Sequence, residues 1–284
     1  MKKIFAVVLH YKGRQFTRQC LLSLQKIKTG DFSLKVIVVD NYSPEPIDEF
    51  RKEFEKVIFL KSRQNLGFAG GNNLGIKYAL KNGADDILVL NNDTTLDKNL
   101  LVQLIKQASL SGETAIFGPK IYFAPGYEYH KERYKPKDLG KVLWYAGGII
   151  DWQNILTSHR GVDEIDSGQY DTQEETDFVS GCALFASRKV FEKIGLFDDR
   201  YFLYFEDVDF CQRARETGFK IIYAPQAKLW HKNAGSSAVG GPLHDYFLTR
   251  NRLLFGLKYG QPGTKLALLR ESLKLLISGR SWQK

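Results

Sequence analysis

The feature that most limits what this chain can fold into is the alternation, over its first third, between short apolar runs and amphipathic stretches. Apolar runs at 4–9, 34–40, 57–60 and 87–90 are too short for ordinary helices and rich in Val, Ile and Leu. Between them, 16–27, 69–80 and 97–108 carry apolar residues at helical spacing, the last opened by Asp97 as a cap. Strands alternating with helices over short connections imply a parallel sheet with helices on both faces, an α/β class of fold. Ligands of such sheets collect beyond the carboxyl ends of the strands. The residues just after each apolar run are therefore the first candidates for a site.

Three polar clusters fall there. Asp40-Asn41-Tyr42-Ser43 follows the second run. It makes a good turn, and its carboxylate could also accept from the imide N–H of a pyrimidine base. Arg63-Gln64-Asn65-Leu66-Gly67-Phe68-Ala69-Gly70-Gly71-Asn72-Asn73 follows the third. Its glycines suit either a flexible helix start or an anion site where backbone N–H groups approach a ligand. It is neither a Walker loop nor a Gly-x-Gly-x-x-Gly fingerprint, so it points to neither ATP nor NAD. Asn91-Asn92-Asp93-Thr94 closes the fourth run. Asp93 could cap the next helix, or stand where a hard divalent cation meets phosphate oxygens.

Carboxylates and aromatics then crowd the stretch from Asp177-Phe178-Val179-Ser180-Gly181-Cys182 to Trp230-His231. Glu206 and Asp207 follow the aromatic run Tyr201 to Phe205. Apolar surroundings raise a carboxylate pKa and suit it to general-base work near neutral pH. The plainer alternative is that both residues complement the dipole of the helix that follows.

The 284 residues, 43% hydrophobic and 26% charged, fit a globular domain with an ample core. A net charge of +9 calls for an anionic partner, such as a nucleotide, a phospholipid surface or nucleic acid. No nucleic-acid motif accompanies it and the charge is not striped before the tail, so nucleic acid is not the expected partner. Cys20, Cys182 and Cys211 are odd in number and scattered, which fits a reducing compartment rather than disulfides or zinc. Lys2 and Lys3 before 4–9 imitate a signal peptide, but the apolar run is short and His10, Tyr11, Lys12 and Arg14 follow it. With no apolar stretch near the ~20 residues of a membrane span, the expectation is a cytoplasmic protein, at most peripheral to the inner face of the cell membrane.

Taken in order, these clusters resemble the inverting family-2 glycosyltransferases of the GT-A fold, particularly the bacterial rhamnosyltransferase-like branch. The resemblance runs over roughly residues 3–252, through Val7-Val8, Asp40, Arg63 to Ala69, Asn91-Asn92-Asp93, Asp177 to Gly181, Phe202-Leu203-Tyr204-Phe205-Glu206-Asp207 and Trp230-His231. It implies a GT-A domain over 1–257, with a Rossmann-like nucleotide-binding half at 1–95 and an acceptor-side half at 96–257; beyond it the chain itself shows a basic amphipathic C-terminal segment at 258–284, a helical tail. Carried over residue by residue, Asp40 would hold the base, and Arg63, Asn65, Gly67, Asn73 and Asn91 would lie on the nucleotide side. Asp93 matches the last acid of an Asp-x-Asp motif and His231 a late ligand, together holding Mg²⁺ or Mn²⁺. Asp207 matches the catalytic base, with Glu206 beside it. Trp144, Gly147, His159, Arg160, Gly181 and Tyr204 are sugar or acceptor candidates. The departure is Asn91, which stands where the motif's first Asp would be and removes one carboxylate from the cation site.

The implied activity is transfer of a sugar, L-rhamnose from dTDP-β-L-rhamnose, to a lipid-linked surface glycan. UDP-hexose or UDP-N-acetylhexosamine donors are the alternative, and a non-catalytic carbohydrate-binding relative is a third reading. An acceptor hydroxyl is a poor nucleophile and needs a base, and the departing diphosphate needs its charge offset, so one base and one cation site suffice for single displacement. Residues 124–143 read as a solvated loop or a lid, and Gly235-Ser236-Ser237 as a loop that could order around diphosphate. From Lys258 on, Lys265, Arg270, Lys274, Arg280 and Lys284 meet one acid, Glu271, beside a row of leucines. That segment either packs on the domain or lies on an anionic membrane.

Overall fold

A computed structural model describes residues 1–110, 115–233 and 241–278. The alternation appears as β1 (Lys2–His10), α1 (Arg14–Leu24), β2 (Phe32–Asp40), the single-turn α2 (Phe50–Glu53), β3 (Ile58–Lys61), α3 (Gly67–Lys81) and β4 (Asp86–Asn91). Parallel pairing orders the strands β3-β2-β1-β4, so the direction of winding reverses between β1 and β4. Ile4, Ala6 and Val8 of β1 pack on one face with Cys20, Leu21 and Leu24 of α1, while Phe5 and Val7 pack on the other with Ala69, Ile76 and Ala79 of α3. Burial on both faces explains why these strands read as continuous apolar runs rather than alternating ones. Gly75 lets α3 lie close, since a Cβ there would meet Val7 Cγ1 at 2.4 Å.

The chain continues through β5 (Thr94–Leu96), α4 (Leu100–Leu110), β6 (Ala115–Phe123), β7 (Leu143–Tyr145), β8 (Gly148–Asp151), β9 (Leu156–His159) and β10 (Glu174–Glu175). It ends with β11 (Ala183–Ser187), α5 (Arg188–Ile194), α6 (Glu206–Glu216), β12 (Lys220–His231), α7 (Pro242–Tyr259) and α8 (Pro262–Ser278). β11 enters antiparallel between β4 and β6, and β12 runs parallel to β6, extending the sheet to ten strands among the described residues. The result is a mostly parallel central sheet flanked by helices. β8 and β9 form a separate hairpin.

Two details differ from the sequence expectation. Helix 97–108 begins at Leu100, with Asp97 accepting from the backbone N–H of Asn99 at 2.8 Å. Asp93 caps no helix: it lies in the turn to β5, a three-residue strand pairing antiparallel with the end of β12.

The 124–143 loop is tied to the sheet. Buried Glu128 accepts from Gly126 and Gly140 N–H, and Trp230 Nε1 donates to Gly140 O at 2.8 Å. α8 docks on α7, with Leu268 buried beside Gly256 and Arg252 paired to Glu271 at 2.9 Å. Residues Gly235-Ser236-Ser237, Arg280 and Lys284 lie outside the described residues.

Candidate active site

At the reversal point the ends of β1 and β4 open into a cavity of about 340 Å³. Leu9, Tyr11 and Lys12 reach it from β1, and Asn91, Asn92 and Asp93 from β4. Gly181 and Cys182, Glu206 and Asp207 at the head of α6, and His231 at the end of β12 form the opposite walls, with Trp144, His159 and Tyr204.

Asp93 and His231 are distant in sequence and meet because β5 turns back onto β12, setting Thr94 opposite His231. His231 Nε2 lies 3.0 Å from Asp93 Oδ1, both side chains nearly fully buried. Burial opposes the imidazolium, but Asp93 and Cys182 outweigh it and hold His231 well above its ordinary pKa. Trp144 packs edge-on against both His231 (4.5 Å) and His159 (4.3 Å). His159 is pulled down to about 4 by burial, so its ring is neutral and Nδ1 donates to Trp144 O at 3.2 Å. Among the described residues no group of three His, Cys, Asp or Glu side chains is placed to hold a metal ion; the Asp93–His231 pair has Asn91 beside it on the cavity wall.

Across the cavity, Asp207 Oδ2 accepts from Gly181 N–H at 2.7 Å and Oδ1 from Val208 N–H at 2.8 Å. Burial raises Asp207 above the usual carboxylate range, and those N–H groups partly restore the charged form. Glu206 is 4% exposed and its Oε2 has no hydrogen-bond partner among the described residues. Burial and then the Asp207 charge push it well above the carboxylate range. Of two adjacent carboxyls, Asp207, with two N–H bonds from its neighbours, is the better placed to carry the charge, and Glu206, with one oxygen unbonded, to carry the proton.

The loop that presents this pair is unusual in its backbone. Phe202, Tyr204 and Phe205 have φ of 63°, 68° and 71°, conformations that cost non-glycine residues roughly 1–3 kcal/mol each. Three contacts hold them. Asn251 Nδ2, fully buried on α7, donates to the carbonyls of Tyr201, Leu203 and Tyr204 at 2.7–2.8 Å. Phe202 stacks on Phe247 at 5.0 Å. At the start of α3, Phe68 N–H donates to Phe202 O at 2.6 Å and Ala69 N–H approaches it at 3.3 Å.

That last contact corrects the anion-site expectation for 63–73. The N–H groups at the start of α3 are engaged by a carbonyl of the same chain. Gly67 (φ +68°) is required there because a Cβ would meet Phe202 O at 2.4 Å. Asn65 Oδ1 accepts from Asn41 Nδ2 and Gly67 N–H, shaping the turn. Asn73 uses both ends of its amide on the backbone of Phe197. Arg160 is stacked between Tyr170 and Tyr223, paired with Glu174 and bonded to Ala146 O, with Gly147 packed beside it. None of these lines the cavity, and their polar groups are engaged within the fold. Arg63 is exposed outside it. Asp40 also lies outside, at the tip of β2 and one strand from the cavity, accepting from Ser43 N–H with one oxygen.

The cavity also holds residues that sequence reasoning passed over: Tyr11, Lys12, Phe16, Tyr129, Asn233 and His244. Lys12-Gly13-Arg14 after the first apolar run was a usable signal, since the first strand's carboxyl end is where such folds bind ligands. Tyr129 and His244 carry no local signal.

Residues 5–195 match the family model described as glycosyl transferase family 2. The low-salt glycan biosynthesis hexosyltransferase Agl10 of Haloferax volcanii is 27% identical over 216 residues, 76% of this chain and 62% of the relative. The N-acetylglucosaminyl-diphospho-decaprenol L-rhamnosyltransferase of Mycobacterium tuberculosis is 25% identical over 213 residues, 72% of this chain and 68% of the relative. Among solved structures, GalNAc-T7 with UDP, GalNAc and Mn²⁺ aligns with a TM-score of 0.62 at 14% identity, over 81% of this chain and 44% of that one. The chain thus spans less than two thirds of the first of these relatives and less than half of the GalNAc-T7 chain.

Asn251→Ala should lower stability by about 3 kcal/mol in denaturant unfolding, because the carbonyls of Tyr201, Leu203 and Tyr204 lose their donor and the strained turn loses its bracket. Glu206→Gln should raise the unfolding midpoint relative to wild type, and the gap should widen with pH. The sign follows from the raised folded-state pKa: the stability of the wild-type neutral carboxyl is fully present below the unfolded value and is lost as pH rises through the folded one. Melting curves across that range check it.

Proposed function

The chain belongs to glycosyl transferase family 2, and we propose that it transfers L-rhamnose from dTDP-β-L-rhamnose to a hydroxyl of a lipid-linked surface-glycan acceptor by single displacement with inversion. The observation that carries this reading is that Asp207 and the Asp93–His231 pair line one cavity at the reversal point of the sheet. The rhamnosyl donor and the lipid-linked acceptor are supported by the mycobacterial relative, an L-rhamnosyltransferase named for an N-acetylglucosaminyl-diphospho-decaprenol. UDP-hexose or UDP-N-acetylhexosamine donors are a second reading, favoured by the UDP held in the GalNAc-T7 structure.

In this mechanism the Asp207 carboxylate takes the proton of the acceptor hydroxyl as its oxygen attacks the anomeric carbon. The bond from that carbon to the diphosphate oxygen breaks on the opposite side, and dTDP leaves with the electron pair. Gly181 N–H orients Asp207, and protonated Glu206 spares it a second negative charge at close range. Trp144 and Tyr204 wall the sugar side. Asp40, with exposed Arg63 near the tip of the next strand, serves the nucleoside. Asp93 offers a carboxylate to a divalent cation, and His231 would offer a ring nitrogen once a bound cation displaces its proton. They would hold Mg²⁺ or Mn²⁺, which when bound offsets charge on the diphosphate.

The test is release of nucleoside diphosphate from a panel of dTDP- and UDP-sugars with Mn²⁺ or Mg²⁺. dTDP-rhamnose should turn over fastest, and a chelator should suppress it. No turnover of any donor would remove the reading. Asp207→Asn should lower turnover by about a thousandfold while dTDP affinity by calorimetry stays within error. Wild-type turnover should fall as pH drops through the raised Asp207 pKa, because the ionised form is the base.

A further inference from the structure

Helix α8 carries apolar side chains on two faces, and the fold covers one. Inward, Leu268 is 4% exposed beside Gly256, and Glu271, the acid of this helix, is turned to Arg252 at 2.9 Å. Outward, Leu266, Leu269 and Leu273 are 50%, 50% and 58% exposed. Spacings of three and four residues place them in one stripe along the helix. Arg270 and Lys274 are both exposed. Arg270 lies one turn beyond Leu266 and Lys274 directly follows Leu273, so the two cations flank the same stripe.

We propose that this outward face of α8 is a docking surface for a bilayer of anionic phospholipid, with the helix lying in the plane of the interface. The leucines would enter the acyl boundary while Arg270 and Lys274 meet headgroup phosphates. Charge selects this occupant. With Glu271 paired inward, the described outward face carries leucines and cations and presents no carboxylate to a basic partner. A second copy of the chain would set cation beside cation along the same seam, which disfavours self-pairing. The helix does not cross the bilayer, as among the described residues none is long and apolar enough. The surface stands apart from the cavity and does not depend on which sugar is transferred.

The test is co-sedimentation of the 284-residue chain with vesicles of phosphatidylcholine alone and with added phosphatidylglycerol. Wild type should pellet with the anionic vesicles, weakly with the neutral ones, and less at high salt. Leu266→Gln, Leu269→Gln and Leu273→Gln should each weaken binding roughly tenfold, with melting temperature and donor turnover in solution unchanged. Arg270→Gln with Lys274→Gln should remove the preference for phosphatidylglycerol and leave the fold intact, which keeps the test decisive if a leucine variant misfolds. Equal binding by the leucine variants, or no wild-type binding, would overturn the proposal. So would a wild-type dimer in light scattering that these variants convert to monomer, since a second copy would then own the stripe. Donor turnover is read separately, so its loss in wild type would count against the transfer reaction and not against this surface.

Discussion

The carbonyl of Phe202 is the point on which the site's geometry rests. It lies against the start of α3, accepting at 2.6 Å from Phe68, in a gap that exists because residue 67 has no side chain. Around it the backbone takes left-handed turns at Phe202, Tyr204 and Phe205, and Asn251 brackets the carbonyls on either side. Strain of this order persists only where the surroundings over-determine it. Helices from the first and last thirds of the chain provide those surroundings, so the head of α6 is aimed by the whole domain rather than by its own loop. Asp209, one turn into α6, reinforces the aim: fully buried, it receives Arg213, Lys258 and Tyr259.

The opposite wall is built by strand pairing. β12 carries a register shift between Ala224 and Lys228, around Pro225, and beyond it regains pairing with β6 on one side and takes β5 on the other. A proline that cannot donate to the ladder is tolerated at such an irregularity. The shift lets one long strand deliver His231 to the tip of the sheet, where the β4–β5 turn holds Asp93. Both walls are thus positioned by elements remote from one another in sequence, and the cavity forms when the sheet closes on its later strands.

What was legible in the chain follows from this division. β1 to β4 with α1 and α3 could be read directly, because burial on two faces leaves a continuous apolar run and local spacing marks those crossovers; the single turn of α2 is too short to show a spacing. Asp207 and Asp93 stood out as carboxylates beside aromatic or strand-end residues. β5 could not be read: three residues gain strand character only from a partner supplied over a hundred residues later. The use of Gly67 was also hidden, since a helix start looks the same whether its N–H groups await an anion or a carbonyl of the same chain. Asn73 and Arg160 have the composition of ligand-binding residues, yet their donors close on Phe197 and Ala146, and only tertiary contacts decide that. Asn251, a lone amide on an amphipathic helix, gave no sign that it would bracket a turn.

The distribution of charge across the cavity follows from the same contacts. On the α6 wall two carboxyls stand side by side, but the proton on Glu206 leaves one negative charge, held by the N–H groups of Gly181 and Val208. On the β4 wall Asn91 contributes an amide, and the one carboxylate, Asp93, faces a histidine that holds its proton tightly. Lys232 is buried beside them, 5.3 Å over the ring of Phe16, with no hydrogen-bond partner for its amine among the described residues. The wall at the strand tips is therefore close to neutral or positive, and the α6 wall is negative. On the transfer proposed above, a ligand with phosphates at one end and a hydroxyl at the other would have one favourable orientation in such a field. Asn91 in place of a carboxylate strengthens that polarity, because a second negative charge at the strand tips would repel the phosphates unless a cation were already bound there.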